Sequence, residues 1–346
     1  MSSLTKNPLL KIKGKLNLDF FINNAIYFIL AAIVIGATII EPSFMSFRNF
    51  NMILNQGATR IIFALGVAGI IVQGGVDLSV GRHVGLAALL SAMLLQSPDF
   101  ARRVFPNLPE LPLFLPIIGV MILCGVVSMF SGFLIAKFKI APFIGTLGMQ
   151  LVIYSGISVF FHMVANSSPV SGLDPRFTRF AQGFFTFGET RVNFIVFYAL
   201  ITAVVVWFIW NKTILGKNMF AIGGNTEAAL VSGVNVKRNM IIVFGLAGLL
   251  YGFGGTLQGA RTGSVTNFIG TGYELDAIAA CVIGGVSMRG GTGTVAGVVI
   301  GAIIFQIVTF ALVFIGVNPD YQFFIKGAII ILAVILDTRK HYRRAS

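Results

Sequence analysis

This sequence is short of charge. Asp, Glu, Lys and Arg make up only 11% of its 346 residues, against about 25% in a soluble globular chain. Acidic residues are the scarcer kind, 12 against 25 basic ones. A surface so poor in charge is not held in water. With 56% of the residues hydrophobic and a mean hydropathy of +0.90, the chain reads as an all-α polytopic membrane protein. Cysteine and histidine are scarce as well. Cys124 and Cys281 lie inside apolar segments, and His83, His162 and His341 are scattered, which leaves no disulfide framework and no metal-ligand spacing. The lysine-bearing phosphate loop G-x-x-x-x-G-K-[ST] is absent, so ATP hydrolysis by this polypeptide is not expected. No nucleophile–base set stands out, and no cytoplasmic stretch is long enough for an enzyme domain. No catalytic residue, metal site or bound cofactor is therefore assigned. The net charge of +13 sits at the edges of apolar runs, which fits membrane orientation and not nucleic acid.

Apolar runs are what the chain has instead. A bilayer core takes roughly 20 helical residues per span, and ten candidates fit: 20–40, 61–75, 84–96, 113–136, 142–163, 192–210, 240–257, 273–285, 293–315 and 321–336. The second, third and eighth are short or broken by glycine. Lys6, Lys11, Lys13 and Lys15 ahead of the first run imitate a signal peptide, but the run is long for one and no small-x-small site follows, so an uncleaved span is expected. With the amino terminus inside, sixteen basic residues, Arg82 among them, fall at cytoplasmic positions. Eight, including Arg60 and Arg261, fall outside, and Lys326 lies within the last span. That bias favours ten spans, with both termini cytoplasmic, in a single transmembrane domain over 1–346. Five spans precede the external loop 164–191 and five follow it, which would make two inverted halves, although no residue-level repeat is visible. In the external segments Ser46 can cap a helix whose Phe47, Phe50, Ile53 and Leu54 share one face, suited to lie along the membrane surface. Asp174-Pro175 opens a second surface helix over 176–185.

The longest charged interruption, 211–239, separates two uncharged runs. Within it Asn225 is a good N-cap, 226–232 can make two helical turns, and Gly233 suits the position just past the end. A helix of about 7 residues and about 11 Å is not stable alone in water. Its small centre, Glu227-Ala228-Ala229, allows close approach, so it reads either as a peg that docks into a partner or as an ordinary capped loop.

Two further stretches interrupt apolar runs. In 73–81 (QGGVDLSVG), glycines loosen the helix beside Gln73, Asp77 and Ser79. In 270–276 (GTGYELD) they do so beside Glu274 and Asp276. Irregular backbone at membrane depth requires surrounding protein or a water-filled cavity, and carboxylates there are costly, about 3 kcal/mol on insertion scales. These five residues are the candidates for a translocation path. The plainer readings are a helix cap at the cytoplasmic edge for Asp77, and charges complementing a helix dipole for Glu274 and Asp276. The 290–294 run (GGTGT) lacks the phosphate-loop lysine and reads as tight helix packing.

Four blocks, QGGVDLSVGRHVGLAA, KIAPFIGTLGM, GKNMFAIGGNTEAALVSGVNV and YELDAIAACVIGGVSMRGGTGTVAG, together resemble the permease subunits of sugar ABC importers, the ribose/xylose/galactose group. Similarity covers nearly the whole chain, and within the group it leans to the galactose/methyl-galactoside type. Arg82 and His83 stand where the ribose-type pattern has small polar residues. The resemblance implies a homodimer in the cell (inner or plasma) membrane, an ATPase subunit carrying Mg-ATP on the cytoplasmic side, and a sugar-binding protein outside. It also implies a coupling segment over 216–234, involving Gly216, Ala221, Gly223, Gly224, Asn225, Glu227, Ala228, Ala229 and Gly233. An ion-coupled secondary transporter, with Asp77, Glu274 or Asp276 carrying the coupling ion, is the competing expectation.

Overall fold

The computed structural model of the protein describes residues 25–187 and 190–345. The amino-terminal lysines and positions 20–24 of the first candidate span lie outside the described residues. Thirteen α-helices are described: α1 (Ala25–Ile40), α2 (Phe47–Val72), α3 (Val80–Leu94), α4 (Phe114–Phe138), α5 (Pro142–Ala165), α6 (Pro175–Gln182), α7 (Phe194–Lys212), α8 (Ile214–Gly224), α9 (Thr226–Val231), α10 (Val236–Thr262), α11 (Tyr273–Ile283), α12 (Val295–Phe314) and α13 (Pro319–Ala345). A 3₁₀ turn, Pro42–Met45, follows α1, and one antiparallel hairpin pairs β1 (Phe184–Phe187) with β2 (Thr190–Asn193). Among the described residues, α2, α4, α5, α7, α10 and α12 are long and apolar enough to cross a membrane, while α3 is shorter. The chain is a polytopic helical membrane protein.

Residues Ser46–Gln306 form one compact unit, and the chain before Ser46 forms a second with the chain after Gln306. In the second, Phe310 stacks on Phe314 and Phe44 packs against both, edge-on to Phe314, with centroids 5.6 to 6.1 Å apart.

The first unit is built around α10, which packs against α2, α3 and α4. Between helices in lipid there is no hydrophobic driving force, so association depends on close backbone approach at small residues. Glycines on α10 supply it. A Cβ on Gly248 would stand 2.6 Å from the Ser128 Cβ of α4, and one on Gly252 would stand 2.7 Å from the Met121 Cα. One on Gly255 would stand 2.7 Å from the Ala87 Cβ of α3. Facing outward, α4, α5 and α7 carry exposed Ile118, Ile122, Leu151, Val152, Ile201 and Val204, a surface fitted to acyl chains.

Several sequence expectations need correction. The second span is not short: α2 runs 26 residues without a break, and Ser46 caps it by accepting from the Asn49 N–H at 3.3 Å. No separate surface helix forms there. Arg60, which looked like a boundary charge, lies within the helix and pairs with Asp276 of α11 at 2.6 Å. The surface helix expected over 176–185 begins as foreseen, with Asp174 accepting from the Arg176 N–H at 2.7 Å. It stops at Gln182, and Phe184 and Phe185 enter the hairpin instead. That hairpin also delays the next span to Phe194.

Arg82 is likewise engaged inside the bundle. Its guanidinium lies 4.5 Å from the centroid of Tyr154 on α5 and donates to the Thr271 hydroxyl at 3.1 Å. Arg60 and Arg82 therefore report packing and not orientation. Without them the expected topology would divide the basic residues fifteen to seven.

Candidate functional site

The segment between α7 and α10 folds as two helices. Thr213 caps α8 by accepting from the Gly216 N–H at 3.3 Å. Gly216 is buried there because a Cβ would press on the last turn of α7, 2.5 Å from the Ile209 carbonyl. The sequence reading missed α8 and found α9. Asn225 accepts from the Ala228 N–H at 3.0 Å, and its own N–H donates to the Ala221 carbonyl at 3.0 Å, so one residue ends α8 and starts α9. At the far end Gly233 adopts φ 82, and the Val234 N–H closes onto the Ala229 carbonyl at 3.0 Å. That left-handed stop is available to glycine at little cost. Ala229 is buried beneath the helix, while Ala221, Gly224, Asn225, Glu227, Ala228 and Gly233 are exposed. Two exposed apolar residues were overlooked: Leu230, and Val231 with 90% of its surface open. Their signal was present, as an apolar pair inside a polar capped helix.

The base of this segment rests on glycine. Gly223 and Gly224 meet Gly290 and Gly291 of the α11–α12 loop. A Cβ on Gly223 would lie 2.5 Å from the Gly291 nitrogen, and one on Gly291 would lie 2.8 Å from the Gly224 Cα. The Gly291 N–H donates to the carbonyl of Val72, the last residue of α2, at 2.8 Å. The 290–294 run is thus the close-packing element expected of it. Beside it Gln73 is buried and donates to Asn239 of α10 at 3.2 Å.

From this seam the chain passes through 73–79 to Asp77, which is fully buried. One carboxylate oxygen accepts from the Ser79 N–H at 2.8 Å and the Ser79 hydroxyl at 2.6 Å. The other accepts from the Tyr251 hydroxyl at 3.0 Å. Tyr251 stands near the middle of α10, so Asp77 lies level with the middle of that helix and not at its end. Ser79 in turn presents its carbonyl to His83 Nδ1 at 3.1 Å. Tyr251 too was missed. Its signal was a lone tyrosine in a glycine-rich apolar run.

The two broken stretches meet here. Gly81 packs directly on Gly270 and the Glu274 carboxylate, with no room for a Cβ between them. Glu274 is partly open, and Asp276 is held by Arg60. Around them Gln258 donates to the Tyr273 hydroxyl at 3.1 Å and accepts from Thr59 at 3.1 Å, and Tyr273 stacks on Phe63 at 5.5 Å. The five path candidates thus divide: Gln73 belongs to the glycine seam, Asp77 and Ser79 form one knot on α10, and Glu274 and Asp276 open α11. Among the described residues no cluster of His, Cys, Asp and Glu could hold a metal ion.

The family described as branched-chain amino acid transport system / permease component matches residues 49–334. This chain belongs to that permease family. It is 48% identical over 345 residues, 99% of its own length and 100% of the relative's, to the galactose/methyl galactoside import permease protein MglC of Haemophilus influenzae. Against the protein of that name in Escherichia coli K12 it is 50% identical over 327 residues, covering 94% of the chain and 97% of the relative. The ribose import permease protein RbsC of Bacillus subtilis is further away, 35% identical over 311 residues, 89% of this chain and 90% of that one. No solved structure matches the chain. As a permease, this chain is a transport subunit of the membrane and not itself a catalyst.

Proposed function

We propose that this permease is the membrane-spanning subunit of an ATP-driven importer and passes a monosaccharide, galactose or methyl galactoside, into the cell. On this reading the whole of 1–346 is one permease domain of ten spans with cytoplasmic termini. It pairs with a second copy in the inner or plasma membrane and receives sugar from an external binding protein. A separate cytoplasmic ATPase binds ATP and magnesium and docks on α9. The observation that carries the reading is the peg itself. A helix too short to stand alone is capped at both ends, exposes Glu227, Leu230 and Val231, and is seated on the glycine seam that joins α2 to the α11–α12 loop. Motion of the peg would reach the junction of α3 and α11 through that seam. Of the three carboxylates named for the ion-coupled alternative, Asp77 and Asp276 are tied to Tyr251 and Arg60, which leaves it Glu274 alone.

The test is reconstitution with the ATPase and the binding protein. Galactose uptake should require both, together with ATP, and should persist without an ion gradient. Glu227→Arg should leave the permease in the membrane while uncoupling hydrolysis from uptake. Uptake driven by a proton or sodium gradient in the absence of ATP would overturn the proposal.

A further inference from the structure

Two cavities follow one another along α10, the first between it and α8 and the second also walled by α2, α4 and α7. The first, about 650 Å³, lies at the level of the peg and is lined by Asn218, Asn235, Arg238 and Asn239 beside Leu215 and Ile242. The second, about 240 Å³, begins one turn further along α10 and has only apolar or glycine side chains, among them Trp210, Leu215, Val243, Leu246 and Gly69. Leu215 borders both. The apolar groove continues along α10 from Val243 to Leu250, about 10 Å by helical rise. It ends beside Met121 and Val205, on the side of the bundle where α4 and α7 carry their exposed apolar residues.

A site that is polar and cationic at one end and apolar for the next two turns matches an amphipathic ligand. Arg238 is exposed and forms no ion pair among the described residues. Asn235 spends its side-chain oxygen on the Arg238 N–H, at 2.9 Å, which leaves its amide as a donor. The first cavity has the volume of a small-molecule site, within the range of about 300–1,000 Å³. A soluble protein docking on the peg could cover this polar end but would not fill a groove that opens among lipid-facing helices. Basic pockets between membrane helices on the cytoplasmic side select anionic headgroups.

We propose that the paired cavity binds an anionic phospholipid. Its phosphate lies against Arg238, with the amides of Asn218 and Asn235 on the headgroup oxygens, and one acyl chain lies in the groove beside Trp210. A lipid held there wedges α8 against α10 and fixes the base from which the peg projects.

Trp207 and Trp210 are the two tryptophans of the chain, and Trp210 is only 6% exposed. Trp207→Phe therefore leaves one reporter, inside the groove. The purified full-length variant is placed in bilayers in which phosphatidylglycerol or phosphatidylcholine carries brominated chains, which quench tryptophan on contact. Titrating one lipid against the other gives their relative affinity at Trp210. The expected preference for phosphatidylglycerol is about fivefold, the worth of one basic residue toward an anionic lipid. Arg238→Gln should bring it to parity and Arg238→Lys should keep most of it. Gly69→Ala should lower quenching by both lipids, since a Cβ there meets only Val243 Cγ1 at 3.6 Å and Met219 Sδ at 3.9 Å and so takes up groove space without a clash. Equal quenching by the two headgroups, or a preference that survives Arg238→Gln, overturns the proposal. Quenching that disappears when the ATPase subunit is bound gives the cavity to that protein and overturns it as well.

Discussion

Around α9 every polar backbone contact joins residues five or fewer positions apart, from the Asn225 cap to the Val234 closure. Around α3 and α11 the contacts reach across the chain. Asp77 and Tyr251 are 174 positions apart, Thr59 and Gln258 are 199, and Arg60 and Asp276 are 216. The peg is local and exposed, so it can be altered without disturbing the bundle. The junction is collective and buried, so each of its polar groups depends on partners delivered by other helices. The glycine seam at 223–224 and 290–291 is where the two kinds of construction touch. Substitutions that separate them can be ordered by their expected cost to the fold.

The largest cost belongs to the junction. Asp276→Ala would leave the Arg60 guanidinium, 17% exposed, without its carboxylate, and breaking such a pair from one side costs about 3–5 kcal/mol. The thermal midpoint in detergent should fall sharply. The double variant Arg60→Met with Asp276→Leu should recover most of it, because an apolar pair needs no desolvation of charge. A single variant that melts like the wild type would mean that the junction is not held by its long-range pair.

Next comes the seam. Gly223→Ala places a Cβ against backbone, where neither the Val72 carbonyl nor the Gly291 nitrogen has a side-chain torsion to yield. Overpacking of this kind costs about 1–3 kcal/mol. Gly224→Ala, one residue on, meets nothing within 4 Å and serves as the control. If both variants melt alike, the close approach is not what ties the peg to the bundle.

This division also explains what was legible in the sequence. Caps and glycine stops are written in adjacent residues, so Asn225, Gly233, Ser46 and Asp174 could be read directly. The apolar period and the glycine breaks placed most helices, including the short α3 and α11. Pairings such as Asp77 with Tyr251 have no local signature. Asp77 therefore looked like an edge cap and Arg60 like a boundary charge. The hairpin was hidden because Phe184 and Phe185 continue a helical run until Gly183 and the pairing with Val192 and Asn193 are considered together. Helix α8 was hidden because Gly216, Gly223 and Gly224 weaken its propensity, and packing on α7 and the seam restores it.

A second local constellation carries a smaller effect. Asp174 caps α6, and its hydrogen bonds from Arg176 hold the carboxyl below the ordinary carboxylate range. A group whose folded value is depressed stabilises fully above its unfolded value, near 3.9, and loses that contribution as pH falls through the folded value. The loss should be about 1 kcal/mol, the worth of an N-cap. Thermal midpoints of the wild type and Asp174→Ala should differ near neutral pH and converge below pH of about 4. A constant difference across that window would show that the charge of Asp174 does not matter there.

The smallest effect on the fold, and the most informative about function, is expected at the tip of the peg. Val231 is 90% exposed and Leu230 is 49% exposed, so replacing both with serine removes little packing and should shift stability by no more than about 0.5 kcal/mol. If the peg docks into an ATPase, these two side chains are its apolar anchors, and truncating anchors of that kind weakens binding by more than about 1 kcal/mol each. The double variant should therefore keep the wild-type thermal midpoint while requiring a roughly tenfold higher ATPase concentration, or more, for half-maximal ATP-dependent uptake. Ser232→Ala supplies the contrast, since it removes only a hydroxyl bonded back to Ala228 at 2.8 Å within the helix. An ordinary solvent loop would tolerate all three changes in both assays. A fall in thermal midpoint matching the fall in uptake would place Leu230 and Val231 in the fold, and the peg would then belong with the junction instead of standing apart from it.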